Sequence, residues 1–206
     1  MGMVDECDEP VVDEAQEHLR RALIADLDAG FADVVRAHEQ VVYSVALRLS
    51  SLPADAEDLA AEAFLRAYRA LRGYDAQRIQ GLRLRPWLLT ILRNAARNAA
   101  RDASRRPGPP PAFEPAEELS AGPGVEQRVE QDHVQRELGM ALGRLPETQR
   151  MAVVLRHVVG LPTSEVAEVL GCPDGTAKSH ISRGLQRLRA LLAERRPALL
   201  DGRTDR

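Results

Sequence analysis

With 206 residues the chain has room for one or two small domains, and 44% apolar residues suffice to bury a core in each. No apolar run is long enough to span a bilayer, and the N-terminus is acidic rather than signal-like, so membrane insertion and export are argued against and a cytoplasmic chain is expected. The net charge of −3 hides a segregation: residues 1–17 carry seven acids and no cation, residues 78–106 carry eight arginines against Asp102, and residues 176–196 carry six cations against Glu194.

Residues 1–18 read as a disordered acidic tail, which could shield basic segments elsewhere in the chain. From Leu19 to about Arg106 the pattern is helical and reads as a first domain. HLRRALIADLDAGF forms one short helix ending near Gly30. Phe31 to Leu49 forms the next, with Val34, Val35, Val41, Val42, Val45, Ala46 and Leu49 as apolar positions. Pro53 breaks the chain. Asp55 then caps a helix running to Gly73, with Asp58 placed as a capping-box acid. Tyr74 to Arg85 is a loop. Pro86 opens the following helix, where proline costs no backbone bond.

That helix carries Arg93, Arg97, Arg101 and Arg105 at four-residue spacing, a cationic stripe that drifts by about 40° per step. Leu88, Ile91, Leu92, Ala95 and Ala99 form its buried side. Asn94 and Asn98 flank the stripe and suit either base edges or an ordinary helix surface. Trp87 and Tyr74 lie near that edge. For Trp87 two readings stand, core packing and stacking on unpaired bases. The acidic stretch around Asp55, Asp58, Leu59 and Glu62 would repel DNA. It suits a protein partner, or simply a helix N-terminus.

Residues 107–125 are rich in proline and glycine and read as a flexible linker. A second helical domain spans 126–196, followed by a tail over 197–206. Within it, GLPTSEVAEVLGCPDGTAKSHISRGLQRLR reads as a helix-turn-helix. Val166, Ala167, Val169 and Leu170 line the first helix, which Gly171 ends. The second runs from about Gly175, with Ala177, Ile181, Leu185, Leu188 and Leu192 on one face. Its other face presents Lys178, Ser179, Ser182, Arg183, Gln186 and Arg187. Hydroxyls, an amide and long cations suit base edges and phosphates together. The fold class expected is all-α, in two small helical domains.

Cys7 and Cys172 form no metal or redox motif, and the five histidines are scattered without zinc spacing. No metal, cofactor or catalytic residue is expected. The only carboxylate cluster lies apart from both basic blocks, so the chain does not read as an enzyme.

The AEDLAAEAFLRAYRAL and RPWLLTILRNAARN helices, the proline-rich linker and the terminal helix-turn-helix, in this order, resemble an extracytoplasmic-function sigma factor of the sigma-70 family. The resemblance covers roughly residues 27–106 and 128–195. It implies a subunit that binds core RNA polymerase, at the largest-subunit clamp and the flap, and directs initiation at promoters. Asp58, Leu59 and Glu62 fall on the clamp-binding positions. The loop Tyr74–Arg85 and Asn94 fall on the positions that capture an unstacked base of the minus-ten element, read as single strand, and the helix-face residues Trp87, Arg93, Arg97, Asn98 and Arg101 are assigned to the same element. Lys178, Ser179, Ser182, Arg183 and Arg187 fall on positions that read the minus-thirty-five element as duplex, and Gln186 on the same helix face is assigned with them. An anti-sigma factor and a nucleoid-associated location follow from the same resemblance. It also implies a linker threading toward the polymerase cleft, with Glu114, Glu117 and Glu118 mimicking RNA. Ala61 and Tyr68 stand where the family often has glutamine and tryptophan. Pro162 stands where it often has serine, leaving Thr163 or Ser164 to cap. The alternative reading is an autonomous LuxR-like regulator, since TAKSHISRGLQRL also resembles that recognition helix.

Overall fold

A computed structural model describes residues 14–50, 52–104 and 137–195. Among them every regular element is helical: α1 (Glu14–Ala25), α2 (Leu27–Leu49), α3 (Pro53–Leu71), α4 (Ala76–Gln80), α5 (Leu84–Ser104), α6 (residues 137–143), α7 (Glu147–His157), α8 (Thr163–Leu170) and α9 (Asp174–Arg195). The linker expected over 107–125 and the tail expected over 197–206 lie outside the described residues, as do residues 1–13.

Several boundaries differ from the sequence reading, each for a local reason. Helix α1 begins at Glu14, inside the expected acidic tail. There Glu17 accepts hydrogen bonds from Arg20, Arg21 and Gln80, so its charge is used within the N-terminal half. The chain breaks at Asp26, not near Gly30. Asp26 takes an extended conformation (φ −150°), and its carboxylate accepts from the backbone N–H groups of Asp28 and Ala29. Gly30 thus lies inside α2, against α1. A Cβ there would come within 2.5 Å of the Ala22 carbonyl carbon, so glycine allows the two backbones to touch. Helix α3 starts at Pro53, with Leu52 as N-cap and no side-chain cap, so Asp55 sits in the first turn instead of capping. The expected loop contains α4, capped by Asp75 through the Arg78 N–H at 2.8 Å. Helix α5 starts at Leu84, before Pro86. Pro162 itself is the N-cap of α8, again without a side-chain cap.

Two cores result. The smaller lies in the N-terminal half and joins Leu19 and Leu23 of α1, Val34 of α2, Ala67 and Leu71 of α3, Ile79 of α4, and Leu84 and Leu88 of α5. Alanines at 56, 60, 63 and 67 form the buried face of α3 and let its backbone approach its neighbours closely. His38 completes the α2 stripe and is 6% exposed. Its Nε2 lies 3.5 Å from Gln16 Nε2 of α1.

The larger core crosses between the halves. It contains Val42, Val45 and Ala46 of α2 and Leu89 and Leu92 of α5, together with α7, α8 and the inner face of α9. The cause is visible in α7, where five consecutive residues, Met151 to Leu155, are buried. A helix buried all round needs cover on every side. Helices α8 and α9 cover part of it, and α2 supplies the rest. The two helical units of the sequence reading therefore pack face to face.

Three donors on one carboxylate have a pH consequence. Arg20, then Gln80 and Arg21, pull the Glu17 pKa from 4.5 down to about 2. A depressed carboxylate pKa contributes stability that is present above the ordinary value and lost as pH falls through the folded one. The α1–α4 attachment is therefore expected to loosen between pH 4.5 and about 2. An NMR titration of the Glu17 carboxyl, together with α1 amide exchange, checks it. A midpoint at the ordinary glutamate value would refute it.

Candidate nucleic-acid interface

Helix α8 stops where the chain turns left-handed at Gly171 (φ 64°), which needs glycine. The Cys172 N–H closes the turn on the Ala167 carbonyl at 3.1 Å. Pro173 follows, and its carbonyl accepts from the N–H groups of Thr176 and Ala177 in the first turn of α9. The turn points α9 away from α8 and leaves one long face in solvent. Lys178, Ser179, Ser182, Arg183, Gln186 and Arg187 are all exposed on it. The Ser179 hydroxyl donates back to the Gly175 carbonyl at 2.9 Å. The opposite face buries Ala177, Gly184, Leu188 and Leu191, with Ile181, Leu185 and Leu192 half-buried beside them. Gly184 lies directly against α7. A Cβ there would meet Val153 Cγ2 at 2.6 Å and the Gln149 carbonyl oxygen at 3.0 Å.

The second basic helix, α5, is less open. Leu84, Leu88, Leu89, Leu92 and Ala95 are buried, Ile91 is half-buried, and Ala99, expected inside, is exposed. Trp87 is half-buried and packs on Tyr74 at 6.1 Å between ring centroids, while the Arg78 guanidinium lies 3.7 Å from the centre of the Tyr74 ring. Packing thus holds Trp87, with part of the ring still accessible. Asn94 and Arg101 are exposed. Arg93 is not: its Nη1 donates to the Val169 carbonyl at 3.0 Å, on the last turn of α8. Burial, with Arg97 nearby, pulls its guanidinium pKa below the usual range. Arg97 Nε lies 3.8 Å from Glu147 at the start of α7.

Between α3 and α5 runs a groove of about 640 Å³ whose lining includes Leu49, Asp55, Asp58, Leu59, Glu62 and Asn98. Glu62 is held by Arg66 at 2.7 Å, Asp58 is exposed, and Leu59 is half-buried. The structure gathers the three polymerase-binding candidates on one wall. It places Asn98 in the same groove rather than among the arginines.

Family models match the chain twice: sigma-70 region 2 over residues 34–106, and sigma-70, region 4 over residues 135–188. The RNA polymerase sigma factor CarQ of Myxococcus xanthus is 33% identical over 164 residues, covering 80% of this chain and 90% of its own length. The chain belongs to the extracytoplasmic-function group of the sigma-70 family. The extracytoplasmic-function sigma factor SigE of Mycolicibacterium smegmatis is 36% identical over 162 residues, 79% of this chain, which spans 61% of that relative's length. A solved sigma factor, RpoE from Bartonella quintana in complex with the anti-sigma factor NepR, superimposes with a TM-score of 0.59 at 27% identity, covering 79% of this chain and 96% of that one.

In this sigma factor the helix-turn-helix row is brought together as the periodicity implies. The α5 row is divided between solvent, the acidic groove and the other half of the chain. The sequence reading placed Arg83 and Arg85 in a basic block and loop facing DNA, and gave Glu165 and Glu168 no role. Arg83 pairs with Glu165 and, at 3.0 Å, with Glu168, and Arg85 Nη2 donates to the Val159 carbonyl at 2.7 Å. Only the three-residue spacing of the two acids on α8 hinted at a shared partner.

Proposed function

We propose that this sigma factor binds core RNA polymerase and directs promoter-specific initiation, acting as a non-enzymatic, cofactor-free subunit in the cytoplasm at the nucleoid. Helix α9 reads the minus-thirty-five element as duplex through Lys178, Ser179, Ser182, Arg183, Gln186 and Arg187. Helix α5 and the segment before it hold the minus-ten element as single strand through Trp87, Arg93, Asn94, Arg97 and Arg101, with Asn98 at the groove side. Asp58, Leu59 and Glu62 meet the polymerase clamp, and an anti-sigma protein is the negative partner, as NepR is for the solved relative.

The observation that carries this reading is the exposed polar row of α9, held off the core by the Gly171 turn. A helix carrying such a row fits the major groove. The acids of the groove explain why the reader works on a platform. They repel DNA and suit a basic protein surface, so polymerase supplies the affinity that the weak DNA contacts lack. The LuxR-like alternative loses ground because the first half matches sigma-70 region 2.

Runoff transcription with core polymerase on genomic fragments tests the whole. Arg183→Ala is expected to weaken promoter recognition by about 1–3 kcal/mol, roughly fivefold to 150-fold, while leaving core binding intact. Asp58→Lys with Glu62→Lys is expected to abolish core association while leaving the helical content unchanged. Transcripts at unaltered levels from both variants would overturn the assignment.

A further inference from the structure

Helix α9 carries one imidazole that the reading row leaves out. His180 lies one turn before Gly184, at the border between the buried face of α9 and its exposed row. The residue is half-buried, and its Nδ1 is buried without a hydrogen-bond partner among the described residues. Nε2 is left on the accessible edge of the ring. Arg183 and Arg187, both exposed, follow at three and seven residues, a spacing that sets the three side chains along one edge of the helix. Ser179, Ser182 and Gln186 lie farther round, toward the middle of the exposed face.

A neutral imidazole has one N–H and one bare nitrogen, and the surroundings decide which is which. A buried N–H left without an acceptor is rarer in folded proteins than an under-used lone pair. Burial of Nδ1 therefore puts the proton on Nε2, where it points outward. We propose that His180 is an uncharged phosphate donor at the edge of the duplex reader, its Nε2–H donating to a phosphate oxygen of the DNA backbone. The packing of Nδ1 fixes both the tautomer and the direction of the ring. This contact differs in kind from those of Arg183 and Arg187. A cation on a phosphate releases a condensed counterion and weakens as salt rises. A neutral N–H releases none, so it holds the register of α9 on the duplex at any salt concentration. The inference rests on the function proposed above but is measured without transcription.

The test uses the full chain at about pH 8, where an imidazole is uncharged. A short fluorescein-labelled duplex of mixed sequence is followed by anisotropy over a range of salt. His180→Leu keeps the bulk and removes the donor. It is expected to weaken duplex binding about fivefold at every salt concentration, with the slope of log affinity against log salt unchanged. Arg187→Ala, by contrast, is expected to flatten that slope by about 0.9, and His180→Arg to steepen it by about 0.9. His180→Gln, whose amide supplies an N–H, recovers most of the binding. Nitrogen NMR of the unaltered chain should find the His180 proton on Nε2 and move that signal, not Nδ1, when duplex is added. Unchanged affinity in His180→Leu at unchanged helical content, a slope that falls with it, a proton on Nδ1, or no duplex binding even at low salt would each overturn the contact. An inert His180 beside intact promoter-specific runoff refutes the contact alone. Failure to initiate with core enzyme while the His180 effects stand refutes the function alone.

Discussion

Leu155→Ala is expected to destabilise the chain by about 2–5 kcal/mol. Leu155 is 0% exposed at the centre of α7, with Val154 and Met151 beside it at 0% and 1%. Truncation loses the transfer free energy of the removed carbons and leaves a cavity. That cavity lies among α2, α8 and α9, so few neighbours can collapse into it without moving a whole helix. For a chain of this size the melting temperature should fall by about 2–4 °C per kcal/mol. Because α7 supports the recognition helix, duplex binding should fail at a lower temperature than the N-terminal half unfolds. Thermal melts by circular dichroism, run beside duplex binding, check this. A loss under about 1 kcal/mol would show that α7 is not the shared support.

Gly184→Ala is the second large effect. Alanine in a helix interior ordinarily gains about 1 kcal/mol over glycine. Here the added Cβ would sit 2.6 Å from Val153 Cγ2 and 3.0 Å from the Gln149 carbonyl oxygen. The valine methyl can rotate, but the carbonyl belongs to α7 itself and cannot yield without shifting the helix. Overpacking of about 1–3 kcal/mol therefore outweighs the propensity gain, and α9 tilts away from α7. Gly175 on the same helix has open space at its Cβ position and no positive φ, so Gly175→Ala should be neutral or stabilising by a few tenths to about 1 kcal/mol. The double variant Gly184→Ala with Val153→Ala should recover only part of the loss, since the carbonyl clash persists. Denaturant midpoints for the three variants beside the unaltered chain check the ordering. A stabilising Gly184→Ala would show that α7 and α9 are not in contact there.

Local signals in the sequence carried the features that depend on one helix at a time. The stop at Gly171 and the exposed row from Lys178 to Arg187 follow from glycine chemistry and a 3.6-residue period, and both stand where expected. What escaped depends on a second element. The split at Asp26 needed the carboxylate to prefer two backbone N–H groups over helix continuation, which an apolar pattern does not register. Gly30 looked like a helix end because glycine at that position serves equally for a close helix crossing. Arg93 and Arg97 looked solvent-facing because periodicity gives a face but not its partner. The acids and carbonyls that receive them lie 50 or more positions along the chain. Asn98 went astray in the same way: the α3–α5 groove that it lines is made by packing.

The burial of α7 on all sides also sets a thermal bias. Any parting of the halves must wet the valines of α2 and the side of α7 that rests on them. Newly hydrated hydrocarbon raises heat capacity by about 0.45 cal/K/mol for each Å² exposed. The driving force that keeps such surface dry weakens on cooling. The joint between the halves therefore grips harder in warmth and slackens in the cold.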